Sequence, residues 1–187
     1  MMTKIIPSHV AVLVPSVRKA AEHLKKFNFQ IGKEEVWEGE GTREIYIERD
    51  KNNSLLLMEP IKQGAYQRAL EKRGPGLHHL AIDVLNLEAS IESLSGSGWL
   101  LHPMSIKTIK QVKTAYLARP GFPALIEVQQ KEKFTEAMLF VEEISIPLDS
   151  KISHLIQWIG LENIVKASSN PISFLMDGTR IQMQDLL

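Results

Sequence analysis

The chain has 187 residues, 44% of them apolar, with 22 Lys+Arg against 22 Asp+Glu and no cysteine. That length and apolar content can bury a core without staples. The lack of cysteine excludes a disulfide framework, a thiolate zinc site and cysteine catalysis, and the balanced charge gives no reason to expect nucleic acid or an anionic membrane as partner. No apolar run reaches the ~20 residues of a bilayer span, and the N-terminus has no apolar stretch of signal-peptide length, so a cytoplasmic protein is expected.

In chain order, His9–Val14 alternates in period two and reads as a strand. After the turn Pro15-Ser16, Val17, Ala20, Ala21 and Leu24 share one face of a helix. Strand-like segments follow at Lys33–Trp37, Thr42–Glu48 and Ser54–Met58. Tyr66, Ala69 and Leu70 have helical spacing in the linker Lys62–Lys72, which Arg73-Gly74-Pro75-Gly76 ends. The pattern then repeats at an offset of 70, with His79 under His9. His79–Val84 is a strand, Leu85-Asn86 a turn, and Leu87, Ser90, Ile91 and Leu94 a helix face stopped at Ser95–Gly98. Strands follow at Trp99–His102, Thr114–Ala118 and Ala124–Gln129. A weaker third copy runs through Phe140–Pro147, a helical face of Ile152, Leu155, Ile156 and Ile159, then Ile164–Ala167, Ile172–Met176 and Thr179–Gln184.

The expected fold is α+β, with tandem βαβββ modules forming a curved mixed sheet around a cleft. Modules 6–60 and 76–130 make a paired domain over residues 1–130. Residues 131–187 add a further βαβββ-like module that either packs on the first two or forms a homodimer with its copy. His9 and His79 project from matching strand starts. The last strands supply Glu127 in the second module and Leu56 at the equivalent place in the first.

The stretches S-H-V-A-V-L-V-P-S-V, L-L-L-M-E-P-I, A-L-E-K-R-G-P-G-L-H-H-L-A-I-D-V and A-Y-L-A-R-P-G-F-P-A-L-I-E-V carry a resemblance over residues 8–129. The chain resembles the vicinal oxygen chelate superfamily of glyoxalases, bleomycin-resistance proteins, extradiol dioxygenases and methylmalonyl-CoA epimerases, and the epimerase branch most. The resemblance implies a divalent metal with four protein ligands. His9, His79 and Glu127 take three of those positions, and Leu56 stands at the fourth and cannot ligate. Two imidazoles and a carboxylate suit Fe, Zn, Mn, Co or Ni. Glu59, three residues along the strand, should face away. Glu44 lies where epimerases carry a glutamate base, and Tyr46 and Glu48 should share its face. Glu44 and Glu127 would be the bases of an enolate mechanism on a small thioester or carbonyl substrate.

Other readings remain open beside the epimerase. They are a glyoxalase I-like lyase, an Fe(II) ring-cleaving dioxygenase and a non-catalytic, bleomycin-resistance-like binding protein, the last favoured by Leu56. His78 is expected to stand behind the ligands or at the surface, because strand alternation turns it away from the site. His23, His102 and His154 read as surface or structural residues, and Arg119 as a turn-flanking one.

Overall fold

A computed structural model describes residues 4–135, 137–149 and 154–187. The first module is β1 (Ile6–Leu13), α1 (Val17–Leu24), β2 (Ile31–Trp37), β3 (Thr42–Ile47) and β4 (Ser54–Pro60). Helix α2 (Ala65–Arg73) leads to β5 (Gly76–Val84), α3 (Leu87–Glu92), β6 (Leu100–Leu101), α4 (Ser105–Val112), β7 (Thr114–Ala118) and β8 (Leu125–Gln130). These eight strands form one mixed sheet in the order β2-β3-β4-β1-β5-β8-β7-β6. The α+β class and the curved sheet expected from the repeat are present. Helix α4 was not expected, because only Ile106, Ile109 and Val112 mark an apolar face and two of these are exposed.

Equivalent residues do equivalent jobs in the two modules. Ser16 accepts a hydrogen bond from Lys19 N and caps α1, and Asn86, 70 residues later, accepts from Ala89 N and caps α3. Beyond each cap, one side chain from the end of the sheet takes the first free helical amide. Glu59 Oε2 accepts from Val17 N, and Gln130 Oε1 accepts from Leu87 N, both at 3.0 Å. Glu59 thus faces away from the cleft, as alternation predicts, and Arg43 pairs with its other oxygen at 2.6 Å.

The modules meet where β1 pairs antiparallel with β5, while β1–β4 and β5–β8 pair parallel. One face of the sheet carries Val10, Val12, Leu55, Leu57, Leu80, Ile82, Ile126 and Val128 into the main core against α1 and α3. On the other face Ala11, Leu13, Leu56 and Met58 form a smaller apolar cluster under Tyr66, Ala69 and Leu70 of α2. Alternation sorts the side chains, and α2 covers part of the face that would otherwise lie open.

The third segment has β9 (Val141–Pro147), α5 (His154–Trp158), β10 (Val165–Ser168), β11 (Ser173–Met176) and β12 (Thr179–Gln182), then a 3₁₀ turn over Met183–Leu186. Ile152, expected on its helix, lies outside the described residues. The element order matches the other modules, but the pairing does not. Its sheet runs β10-β9-β11-β12, so β11 and not the last strand takes the free edge of β9. The tight β11–β12 hairpin turns through Asp177-Gly178, both at positive φ, and keeps these two strands adjacent.

This sheet packs on the first two modules within the same core. Phe140 meets Phe29 edge-on with centroids 4.9 Å apart, and Trp99 Nε1 donates to Leu155 O at 3.0 Å. Asn52 N donates to Met138 O, and Phe140 N to Asn52 O. We predict that Phe140→Ala, at a fully buried site, costs about 3–5 kcal/mol of stability. Met138→Ala, at an exposed neighbour, should stay within about 0.5 kcal/mol. Denaturant midpoints measure both, and equal midpoints would mean that the segment does not share the core.

Candidate active site

The cleft draws on both halves of the eight-stranded sheet. His9 of β1, Glu44 and Tyr46 of β3, Leu56 and Met58 of β4, His79 of β5, Tyr116 of β7, and Glu127 and Gln129 of β8 line a cavity of about 180 Å³. Tyr66 of α2 lines it from above the sheet. The register gives the cleft its internal symmetry. Ala11 pairs with Leu56 as Ala81 pairs with Glu127, and Tyr46 faces Leu56 across β3–β4 as Tyr116 faces Glu127 across β7–β8.

His9, His79 and Glu127 converge. The two Nε2 atoms are 3.0 Å apart, and Glu127 Oε2 lies 3.0 Å from His79 Nε2 and 3.7 Å from His9 Nε2. All three side chains are buried, and their donor atoms lie within 4.8 Å of one another. Two donors at right angles and about 2.1 Å from one ion stand about 3 Å apart, so these separations fit a shared divalent ion. The donor chemistry fits as well. Burial, reinforced by His79, pushes His9 far below the ordinary histidine range, so its imidazole is neutral near pH 7. Burial works against an ionised Glu127, but the hydrogen bond with His79 and the nearby histidines and Gln129 outweigh it and hold the carboxyl well below the usual range. A neutral His9 imidazole and an ionised Glu127 carboxylate are the forms in which these groups bind a divalent cation.

The neighbours of the triad set its orientation. Glu127 Oε1 accepts from Tyr116 Oη at 3.1 Å and Gln129 Nε2 at 3.0 Å, which leaves Oε2 for the histidines. Partners of this kind fix the ligand oxygen that faces a metal. Tyr116 and Gln129 were missed at the level of sequence. The signals were present, since Tyr116 repeats Tyr46 at the offset of 70 and Gln129 shares the face of Glu127 on one strand.

His78 stands behind His79, one of the two places expected for it, and does not line the cavity. The β1–β5 register steps from Ala11–His79 to Val12–Leu77, so His78 is the extra residue of a bulge. The bulge defeats alternation and brings His78 Nδ1 within 2.9 Å of His79 Nδ1, with its ring 5.1 Å from that of Tyr66. Glu48 departs from expectation. Its φ of 54° ends β3, and its side chain accepts from Gln30 N instead of joining Glu44 and Tyr46 in the cleft.

Glu44 is buried on the cavity wall, its Oε1 accepting from Thr42 Oγ1 at 2.8 Å. Burial raises its pKa, against the opposing hydrogen bond from Thr42. The remaining histidines hold structure or lie at the surface. His23 Nδ1 meets Asp185 O at 3.1 Å, His102 Nδ1 accepts from Met104 N, and His154 is exposed. Arg119 donates to Gly98 O at 2.6 Å, and the φ of 86° at Gly98 favours glycine there.

The model of the Glyoxalase/Bleomycin resistance protein/Dioxygenase superfamily matches residues 8–116. The chain therefore belongs to that superfamily, a class of proteins built from paired modules of this kind. Among solved structures it is similar to a hypothetical protein from Bacillus halodurans, at 20% identity and a TM-score of 0.59, over 72% of this chain and 99% of that one. It is also similar to the methylmalonyl-CoA epimerase of Mycobacterium tuberculosis, at 22% identity and a TM-score of 0.53, over 67% and 88% of the two chains. A Streptomyces coelicolor methylmalonyl-CoA epimerase variant in complex with 2-nitronate-propionyl-CoA matches at 18% identity and a TM-score of 0.51, over 67% and 98%. At these identities the likeness is one of fold. No curated protein matches the sequence.

Leu56 occupies the symmetry equivalent of Glu127, at the cavity wall. We predict that Leu56→Gln supplies a fourth donor and tightens Co(II) binding at least about ten-fold, or 1.4 kcal/mol. Calorimetric titration measures this, and an unchanged affinity would show that position 56 does not reach the three donors.

Proposed function

We propose that the chain is a metal-dependent enzyme that acts through an enolate on a small thioester or carbonyl compound, with epimerisation in the manner of methylmalonyl-CoA epimerase as the nearest chemistry. The observation that carries this reading is the convergence of His9, His79 and Glu127 in a cavity that also holds a buried second carboxylate, Glu44. His9, His79 and Glu127 would hold a divalent ion, which when bound supplies Lewis-acid stabilisation of a carbonyl oxygen as it gains negative charge.

Glu44 is the base that takes the proton from the carbon beside the carbonyl. Its burial and raised pKa make it a stronger base than an exposed glutamate and slow to give its charge to water. Glu127 provides the second carboxylate of the cavity, and its hydrogen bonds to Tyr116 and Gln129 hold it in place. Glu44 removes the proton on one face; Glu127, protonated from solvent, returns one to the enolate on the other, and the two roles exchange in the reverse direction. The apolar wall of Leu56 and Met58 keeps water sparse around the reacting carbon.

The test is exchange of the α-hydrogen of methylmalonyl-CoA in deuterated water, followed by mass spectrometry of the metal-loaded protein. Glu44→Gln should lower the exchange rate by about 10²–10⁴-fold and leave metal content unchanged. Glu127→Gln should abolish metal-dependent exchange and weaken metal retention. In the wild type the rate should fall as acid protonates Glu44. Because burial raises that pKa, the loss should begin at a higher pH than for an ordinary glutamate. Absence of exchange in the wild type, with metal bound, would refute the reading.

A further inference from the structure

The two halves of the cleft are related by register but not by chemistry. Tyr116 sits across from Glu127 and gives its hydroxyl proton to Glu127 Oε1 at 3.1 Å. Tyr46, its equivalent at the offset of 70, sits across from Leu56, which has nothing to accept. Among the described residues, the Tyr46 hydroxyl has no hydrogen-bond partner. Its ring is held on two sides. The Arg49 guanidinium lies 4.6 Å from its centroid, and the His9 ring meets it edge-on at 5.8 Å. The side chain lines the cavity beside the converging triad. Burial, with the charges of Glu44 and Glu127, pushes its pKa up and keeps it protonated.

A phenol fixed in this way, at the cavity wall and short of a protein acceptor, is free to donate to an oxygen bound there. Glu44 and Glu127 are not bonded to it, Leu56 offers only carbon, and the Met58 thioether is a weak acceptor at best. We propose that the Tyr46 hydroxyl is a substrate-binding group that donates a hydrogen bond to an oxygen of the ligand in the apolar half of the cleft. Replacement of a ligating residue by Leu56 turns the first-module tyrosine from a residue that orients a ligand into one that meets substrate. This rests on the reading of the cavity as a substrate site. The group it recognises is a carbonyl or enolate oxygen, and a hydroxyl donor rewards such an oxygen more as its charge grows.

The test uses oxalate, a small planar dianion that resembles an enolate, titrated calorimetrically into Co(II)-loaded protein. Tyr46→Phe keeps the ring and its contacts with Arg49 and His9, and it should weaken oxalate about ten-fold with Co(II) affinity unchanged. Tyr116→Phe should instead weaken Co(II) retention, because it frees Glu127. In the Leu56→Gln background the new amide oxygen accepts from Tyr46. There Tyr46→Phe should leave oxalate affinity within two-fold and loosen Co(II). This transfer of effect from ligand to metal is a coupling that a merely structural tyrosine would not show. The proposal is overturned if Tyr46→Phe binds oxalate as the wild type does, if it loses Co(II) in the wild-type background, or if oxalate does not bind the loaded wild type. Failure of α-hydrogen exchange on methylmalonyl-CoA would count against the proposed function and leave the oxalate result standing.

Discussion

The antiparallel pairing of β1 with β5 joins two small sheets into one and sets the distance between their contributions to the cleft. The register places His9 opposite Ala81 and Ala11 opposite His79, so the two histidines are diagonal neighbours on one face. Diagonal neighbours are close enough for long side chains to meet. Alanine at both intervening positions leaves room between the imidazoles. Parallel pairing of β5 with β8 then brings Glu127 beside Ala81 and onto the same point. A slip of one residue along β1–β5 would turn one histidine into the core and dissolve the site.

The same symmetry makes the asymmetry informative. The second half of the cleft is polar, with Glu127 tied to Tyr116 and Gln129. The first half is apolar, with Leu56 and Met58 at the places of Glu127 and Gln129 and α2 packed over them. Its buried carboxylate, Glu44, stands opposite Met58. Its equivalent in the second half is Thr114. One cavity of modest size thus holds both the convergent His9, His79 and Glu127 and the buried Glu44.

Among the described residues, the C-terminal segment contributes none to that cavity. Its four-stranded sheet covers the helix side of the molecule, where Phe140 meets Phe29 and the last turn lies near α1, with Asp185 O against His23. It adds core, and through Asn52 and Asn53 it ties down the turn that leads into β4, the strand carrying Leu56. Its relation to the site is therefore mechanical. Although it shares the element order of the other modules, its last strands form a hairpin on one side of β9, so it cannot present the matched inward position that Leu56 and Glu127 occupy.

The repeat, the helix faces and the inward positions were legible in the sequence because each rests on short-range chemistry. Alternation places a residue on one face of a strand, the 3.6 period places it on one side of a helix, and an offset of 70 relates His9 to His79 without any knowledge of distance. The family resemblance added the metal roles and the base, on the same residues. Three things were decided only by tertiary structure. The bulge that brings His78 against His79 is a property of two strands in register, which a single strand's alternation does not reveal. The pairing order of the third segment depends on which edge of β9 a hairpin reaches first. The hydrogen bonds that aim Glu127 come from β7 and the far end of β8. Local sequence specifies which face a side chain occupies, because the backbone period is local. Which partner meets it there depends on packing between distant segments, and that fixes the oxygen of Glu127 that is free and the tyrosine left without an acceptor.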